Sequence, residues 1–177
     1  MFFGNDEPAK TKPPIRLTIV TGEYLIDAWD DPELSIFTAA FDASIDEPNG
    51  GNIILKDAQV RSFGRLNTPA RTFSEWRMPS LAEVIAIVSD DPAAEDLLID
   101  GWLEHEHPFR ALIYTGSFTV EGRILSPVET PPTFLENSFI PIEDALLTYR
   151  LDEKTTPIRG RWGVVNFLMA HGWSLES

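Results

Sequence analysis

Apolar and polar side chains alternate in two stretches of the chain, Arg16 to Ala28 and Arg110 to Gly122. The first reads RLTIVTGEYLIDA and the second RALIYTGSFTVEG, and a Thr-Gly pair interrupts the alternation in both. A period of two places alternate side chains on one face of a strand, and glycine permits a tight turn. Each stretch therefore predicts a β-hairpin. The side chains predicted to point into a core are Tyr24, Ile26, Phe118 and Val120.

A second pair of matching segments follows the hairpins. IILKDAQV at 53–60 corresponds to IPIEDALL at 140–147, and both contain an Asp-Ala pair. The hairpins are 94 positions apart and these segments 87, so the first copy has seven extra residues between its second and third strands. That insertion contains DDPELSIFTAAF, which predicts a short helix with Asp31 as its N-cap and Pro32 at its first position.

A third and looser correspondence pairs Trp76 with Trp162. Each tryptophan leads into an apolar run, SLAEVIAIV in the first copy and GVVNFLMAHGW in the second. The first run also fits helical spacing, so its prediction as a strand depends on the repeat. Each copy then consists of a β-hairpin, a short helical loop, a strand ending in Asp-Ala, a turn and a final strand.

Short, strongly bent strands packed into about 65 residues favour a small barrel, which leaves no exposed sheet edge. The fold class predicted is mainly β, with two tandem barrels, short helical inserts and a connecting helix. The connecting segment reads DDPAAEDLLIDGWLEHEHP, in which Asp91 and Pro92 begin a helix. The two lobes are expected to pack together and on this helix. The predicted boundaries are a mobile tail at 1–14, a first lobe at 15–89, the connecting helix and linker at 90–108, and a second lobe at 109–177.

Two motifs resemble those of Sm-like and SH3-like small barrels. The run from Asn52 to Ala58, NIILKDA, is similar to the Sm-like pattern of asparagine, three apolar residues, any residue, Asp and Ala. Ile158-Arg159-Gly160 matches the later I-R-G signature. The resemblance implies a nucleic-acid-binding module. The second copy is also similar to a bacterial family of small β-proteins through FIPIEDA and VNFL, a likeness that implies no known activity.

The charge of the chain restricts its partners. Asp and Glu total 28 against 14 Lys and Arg, a formal net charge of -14. Such a chain repels polyphosphate unless its basic residues cluster, so nucleic acid is an unlikely partner. The arginines that could form a local patch for this alternative are Arg61, Arg65, Arg71, Arg77, Arg159 and Arg161.

No sequence feature predicts catalysis, a cofactor or a membrane span. The chain has no cysteine and none of the common nucleophile, phosphate-loop or zinc-protease motifs. It also lacks a signal-peptide pattern and a run of about 18 apolar residues, so a cytoplasmic protein is expected. His105 and His107 form an H-x-H pair that is better explained as a polar linker than as a metal site, although metal binding stays open. Asp57 and Asp144 recur in both copies, which favours a structural role over paired acid-base chemistry.

The remaining candidates are surface residues for a protein partner. Trp29 lies beside a loop and Trp102 lies on the connecting segment, and tryptophan is enriched at interface hot spots. Asp96, Asp100 and Glu104 form an acidic stripe at helical spacing, which is typical of a solvated face but could also bind a basic partner. We therefore expect a non-catalytic interaction or scaffold subunit that binds another protein or itself, with an Sm-like nucleic-acid-binding module as the alternative.

Overall fold

In the part of the chain that the structure describes, ten antiparallel strands form a single sheet, which confirms the prediction of a mainly β chain. The computed structural model describes residues 14–31, 35–42, 53–63, 69–96, 107–126, 139–152 and 155–176. The elements are β1 (Ile15–Thr21), β2 (Tyr24–Asp30), α1 (Ile36–Asp42), β3 (Ile53–Ser62), β4 (Arg71–Met78), β5 (Val84–Ser89), β6 (His107–Thr115), β7 (Phe118–Ser126), β8 (Phe139–Tyr149), β9 (Ile158–Asn166) and β10 (Ala170–Glu176). A single 3-10 turn, Phe167–Met169, separates β9 from β10.

The strand order divides the sheet into two halves with the same internal arrangement. The full order is β10-β6-β7-β8-β9-β5-β1-β2-β3-β4. We call β1 to β5 the first unit and β6 to β10 the second unit. In each unit the fifth strand pairs with the first, the first with the second, the second with the third, and the third with the fourth. Among the described residues the sheet ends at β4 and β10, and no strand pair closes either unit, so closure into two barrels is not shown.

The strand registers of the two units also agree. Ile26 of β2 pairs with Val60 of β3, and at the corresponding place Val120 of β7 pairs with Leu147 of β8. The agreement extends to the irregularities, because one bulge lies between Asp27 and Trp29 and the other between Glu121 and Arg123. Corresponding residues of the two units can therefore be compared one by one.

Asp57 and Asp144 lie at these bulges. Their φ angles are 48° and 51°, and they are the positive-φ residues other than glycine among the described residues. Aspartate tolerates this left-handed conformation better than most residues, and a bulge bends the strand that carries it. The prediction that the strands end at Asp-Ala is wrong, since both strands bend there and continue. The recurrence of the aspartates thus has a backbone explanation.

The predicted correspondence of Trp76 with Trp162 is wrong by one residue. Leu55 pairs with Trp76, whereas the corresponding Ile142 pairs with Gly163. Trp162 therefore corresponds to Glu75. Because the side-chain period of a strand is two, a slip of one residue places the two tryptophans on opposite faces. The second apolar run is also divided, since it covers the end of β9, the 3-10 turn and the start of β10.

Helix α1 begins later than Asp31 and Pro32 predict. Ser35 caps it, because the backbone N–H of Phe37 donates to Ser35 Oγ at 3.1 Å. Asp30 lies beneath this turn and accepts hydrogen bonds from Ser35 Oγ at 2.8 Å and from the N–H of Ile36 at 3.0 Å. Ile36 and Phe37 are fully buried, so the cap holds the helix against the core.

Asp30 should make the stability of the protein depend on pH. Burial raises its pKa from 3.8 to about 6, against the opposing effect of its hydrogen bonds. The folded protein therefore binds this proton more tightly than the unfolded chain, and the stability contributed is full below pH 3.8 and is lost as the pH rises through about 6. The loss corresponds to about 2–3 kcal/mol by pH 7.5.

Asp30→Asn removes this titration and tests its contribution. The free energy of unfolding, measured by urea denaturation at pH 4 and pH 7.5, should fall less over that interval in the variant than in the parent chain. Asp27→Asn, on the same strand but less buried, is the control. Equal pH dependence in Asp30→Asn and the parent chain would contradict the assignment.

The core consists of two clusters of buried residues that do not follow the division into units. The first cluster lies mainly between β1, β2, β3 and α1, but it includes Phe139, Trp162 and Val164 of the second unit. The second cluster lies mainly between β6, β7 and β8, but it includes five residues of the first unit, Val20, Leu25, Ile85, Ala86 and Val88. Each unit thus completes the core of the other.

Candidate interaction edges

The two units are joined by strand pairing between β5 and β9, where the sequence predicted packing on a connecting helix. Ile87 pairs with Val164, Val88 with Gly163, and Ser89 with Trp162. All six residues of β5 are buried. Asp90 extends the contact, because its Oδ1 accepts a hydrogen bond from the backbone N–H of Arg161 at 2.9 Å. We call this contact the β5–β9 junction.

Two glycines allow β9 to approach β5 closely. A Cβ atom added to Gly163 would lie 2.5 Å from the carbonyl oxygen of Ile87 and 2.9 Å from Cγ1 of Val88, and one added to Gly160 would overlap Cβ of Val88. Distances this short are not tolerated by packed atoms. The side chain of Val88 and the backbone carbonyl of Ile87 therefore occupy the space that side chains on these glycines would fill. The corresponding residues of β4 are Phe73 and Trp76.

Phe63 makes a second contact between the units, beyond the end of β3. Its ring stacks on Tyr149 and meets Phe118 edge-on, with centroid distances of 5.0 Å in both cases. The backbone N–H of Phe63 donates to the carbonyl of Glu23 at 2.8 Å, just as that of Arg150 donates to Ser117. Arg150 is therefore the counterpart of Phe63, but its side chain is exposed and lies over the ring of Tyr114 at 5.7 Å.

Strand β10 corresponds to β5 and forms one edge of the sheet. Trp173 pairs with Ile113, just as Ile87 pairs with Ile19. Ile87 is 0% exposed in the first core cluster, whereas Trp173 is 52% exposed, with its ring edge-on to Phe167 at a centroid distance of 5.6 Å. Leu175 is half-buried against the second core cluster. The β10 edge, which we define as β10 together with Arg150, thus presents an aromatic side chain beside backbone that no strand pairs with among the described residues.

Strand β4 corresponds to β9 and forms the opposite edge of the sheet. Phe73 and Trp76 lie half-buried at this edge with ring centroids 5.0 Å apart. The other face carries Glu75, whose carboxylate contacts Lys56 at 3.1 Å and Arg77 at 2.7 Å. Hydrogen bonds from Lys56 and Arg77 lower the pKa of Glu75. The β4 edge, defined as β4 and the adjacent Lys56, thus combines aromatic and charged groups.

The predicted partner-binding residues do not form one site among the described residues. Trp29 is 39% exposed on the first unit, where it pairs with Arg16 on one side and Lys56 on the other. Asp96 is exposed at the end of a helical turn at 93–96, which Asp91 begins by accepting a hydrogen bond from the N–H of Ala93 at 3.0 Å. Trp102, Asp100 and Glu104 lie outside the described residues, as does most of the predicted connecting helix.

The predicted arginine patch is only partly available to an anionic ligand. Arg61 contacts Asp27 at 2.8 Å, and Arg77 contacts Glu75. Arg161 lies over the ring of Trp162 at 5.2 Å. Arg71 and Arg159 are exposed near the starts of β4 and β9, and Arg65 lies outside the described residues. Two of the six predicted charges are thus compensated by carboxylates.

The described residues contain no group of three or more His, Cys, Asp or Glu side chains placed to hold a metal ion. His107 is the first residue of β6 and His171 is exposed on β10, while His105 lies outside the described residues. None of the helices that the structure describes is long and apolar enough to cross a membrane.

Comparison of the chain with protein-family models, curated proteins and solved structures found no match. The residues that form the β5–β9 junction were missed by sequence reasoning. Their only sequence signal is a difference between the copies, since glycines 160 and 163 occupy the places of Phe73 and Trp76. This difference is apparent only when Trp76 is aligned with Gly163, as the strand pairing requires.

Proposed function

We propose that this chain is a non-catalytic interaction or scaffold subunit, built from two repeated small β-barrel units, whose outer sheet edges bind protein strands. The observation that carries the proposal is the contrast between Ile87 and Trp173. These residues correspond in the two units, but the first is buried in the core on a strand that is paired on both sides, and the second is exposed on a strand at the edge of the sheet.

An exposed edge offers backbone N–H and C=O groups to any extended segment that can approach it. Strand addition uses these groups for affinity and alternate side-chain contacts for specificity. At the β10 edge, Trp173 and Leu175 supply apolar contacts on one face. At the β4 edge, Phe73 and Trp76 do so, with Glu75 and Arg77 on the other face. Both edges thus have the two components that strand addition requires.

The Sm-like nucleic-acid-binding alternative has less support. Its predicted arginines are divided between β3, β4 and β9, and Arg61 and Arg77 are engaged with carboxylates. With a net charge of -14, association with RNA would need an uncompensated local patch. Retention of single-stranded RNA on filters, with an affinity that falls steeply with salt concentration, would favour this alternative.

Trp173→Asp should remove binding at the β10 edge. A buried aspartate opposite a partner strand would cost the complex several kcal/mol, while Trp173 is already half exposed in the free chain. Native mass measurement of the affinity-purified chain from its own cells should show a complex with the parent sequence and the free chain with the variant.

Leu151→Asp is the control, since Leu151 is an exposed apolar residue in the turn after β8 and belongs to neither edge strand. The control should retain the complex, and urea denaturation should show that both variants remain folded. If the complex survives Trp173→Asp, and also survives Trp173→Asp combined with Trp76→Asp, the edges are not the binding surfaces.

A further inference from the structure

We infer that the outer face of the first unit binds an acidic peptide segment of a partner protein. The surface contains one residue from each of β1 to β4, and we call these four residues, Arg16, Trp29, Lys56 and Glu75, the outer row. Arg16 pairs with Trp29, and Trp29 pairs with Lys56. Lys56 in turn pairs with Glu75. Directly paired residues point to the same face of a sheet, so the four side chains form one continuous surface.

Trp29 lies inside the outer row with a cation on each side. Its side chain is 39% exposed, whereas the preceding Ala28 is buried in the first core cluster, so the ring lies on the face away from that core. Arg16 and Lys56 lie two strands apart, roughly 10 Å at the usual strand spacing. A segment that contacts the ring of Trp29 therefore places its flanking residues beside both cations.

The charge of this surface is opposite to that of the whole chain. Arg77 extends the outer row through its contact with Glu75 at 2.7 Å. Three cations thus meet one anion, in a chain whose net charge is -14. Arg16 has no carboxylate within ion-pair distance among the described residues. Repulsion from the rest of the chain is screened beyond about 8 Å at physiological salt, so the local charges decide which ligand binds at contact.

The corresponding row of the second unit lacks these properties. Its residues are Arg110, Arg123, Glu143 and Trp162. Arg123 replaces Trp29, and it contacts Glu143 at 3.0 Å and Asp144 at 2.6 Å. Trp162 is only 9% exposed. An exposed ring between two cations is therefore not a requirement of the architecture that the two units share.

The size and composition of the outer row favour a short peptide over a nucleic acid. Four strands span roughly 14 Å, which an extended segment of about five residues covers. An excess of two positive charges matches a few carboxylates, whereas a polyphosphate would add repulsion from the acidic chain with every further nucleotide. Single-stranded nucleic acids also stack successive bases on a series of rings, and the outer row offers one ring, that of Trp29.

This surface does not depend on strand addition. Strands β1, β2 and β3 are paired on both sides, so a segment on this face is held by side chains and not by backbone pairing. The inference thus goes beyond the proposed function and adds a second binding surface.

Fluorescence anisotropy of a fluorescein-labelled peptide of alternating glutamate and leucine tests the inference at physiological ionic strength. Arg16→Glu should weaken binding about tenfold, because it replaces an attraction with a repulsion. Trp29→Ala should weaken binding about fivefold through loss of the apolar contact. Glu75→Gln should strengthen binding about threefold, because Lys56 and Arg77 lose their partner within the chain. Such a gain cannot result from unfolding.

Arg110→Glu is the matched control. Arg110 is the counterpart of Arg16 on β6 and is also exposed, so the substitution changes the net charge equally in a row without an exposed tryptophan. It should leave the affinity within about twofold of the parent chain. Urea denaturation should show that Arg16→Glu and Arg110→Glu are equally well folded.

The inference is overturned if the peptide does not bind at ~1 mM, or if a peptide with glutamine in place of glutamate binds equally well. It is also overturned if Arg110→Glu weakens binding as much as Arg16→Glu, or if oligouridylate of the same net charge binds as tightly as the peptide. The proposed function can be separated from these results. Failure of the peptide to bind would leave the edge complex and its dependence on Trp173 unaffected.

Discussion

Trp162→Ala should lower the free energy of unfolding by about 3–5 kcal/mol, the usual cost of truncating a buried aromatic residue. Trp162 belongs to β9 of the second unit, but its side chain lies in the first core cluster. The substitution should therefore leave a cavity in the core of the first unit, although the altered residue lies in the second. Urea denaturation followed by circular dichroism measures the effect.

Two controls separate this effect from the loss of any tryptophan. Trp29→Ala removes an exposed ring on the outer surface of the first unit and should cost less than about 1 kcal/mol. Trp162→Phe retains most of the volume and removes a buried Nε1 that has no hydrogen-bond acceptor among the described residues, so its cost should be small. Similar losses in Trp162→Ala and Trp29→Ala would show that Trp162 does not lie in the core.

Gly163→Val should lower the free energy of unfolding by about 3 kcal/mol, at the upper end of the cost of overpacking. The new Cβ atom would lie 2.5 Å from the carbonyl oxygen of Ile87. Backbone cannot rotate away as a side chain can, so β9 would have to move from β5 and weaken the pairing that joins the units. Thermal and urea unfolding should both report the loss.

Gly172→Val is the matched control for this prediction. Gly172 also lies in a strand, but a Cβ atom added there meets no atom within 4 Å. The free energy of unfolding of this variant should stay within about 0.5 kcal/mol of that of the parent chain. If both valine variants are equally stable, the close approach of β9 to β5 is incorrect.

The alternating patterns predicted the strands whose environment is set by their own unit. Both hairpins are present, and the recurring Asp-Ala pairs mark bulges at the same position in both units. These features depend on local periodicity and on backbone conformation. Such information is contained in a few neighbouring residues.

The errors concern residues whose environment is set by the other unit or by the sheet edge. Tyr24 was predicted by the alternation to point inward, but it is 42% exposed, whereas its counterpart Phe118 is buried and packs against Phe63. The sequence comparison matched Trp76 of β4 with Trp162 of β9. The strand pairing instead matches Trp76 with Gly163, one residue further along the chain. Periodicity predicts that a segment is a strand, but it does not predict which other strand pairs with it. The β5–β9 junction and the two edge strands could therefore be identified only from the structure.

The exchange of residues between the two cores has a consequence for how the sequences of the two halves compare. Ile19 and Ile113 occupy corresponding positions in central, paired strands and are the same residue. Val88 and Ser174 also correspond, but the first lies beside β9 and the second lies at the edge of the sheet, and these residues differ. At these positions the identity of the residue follows its surroundings, so two halves of one architecture need not have the same sequence.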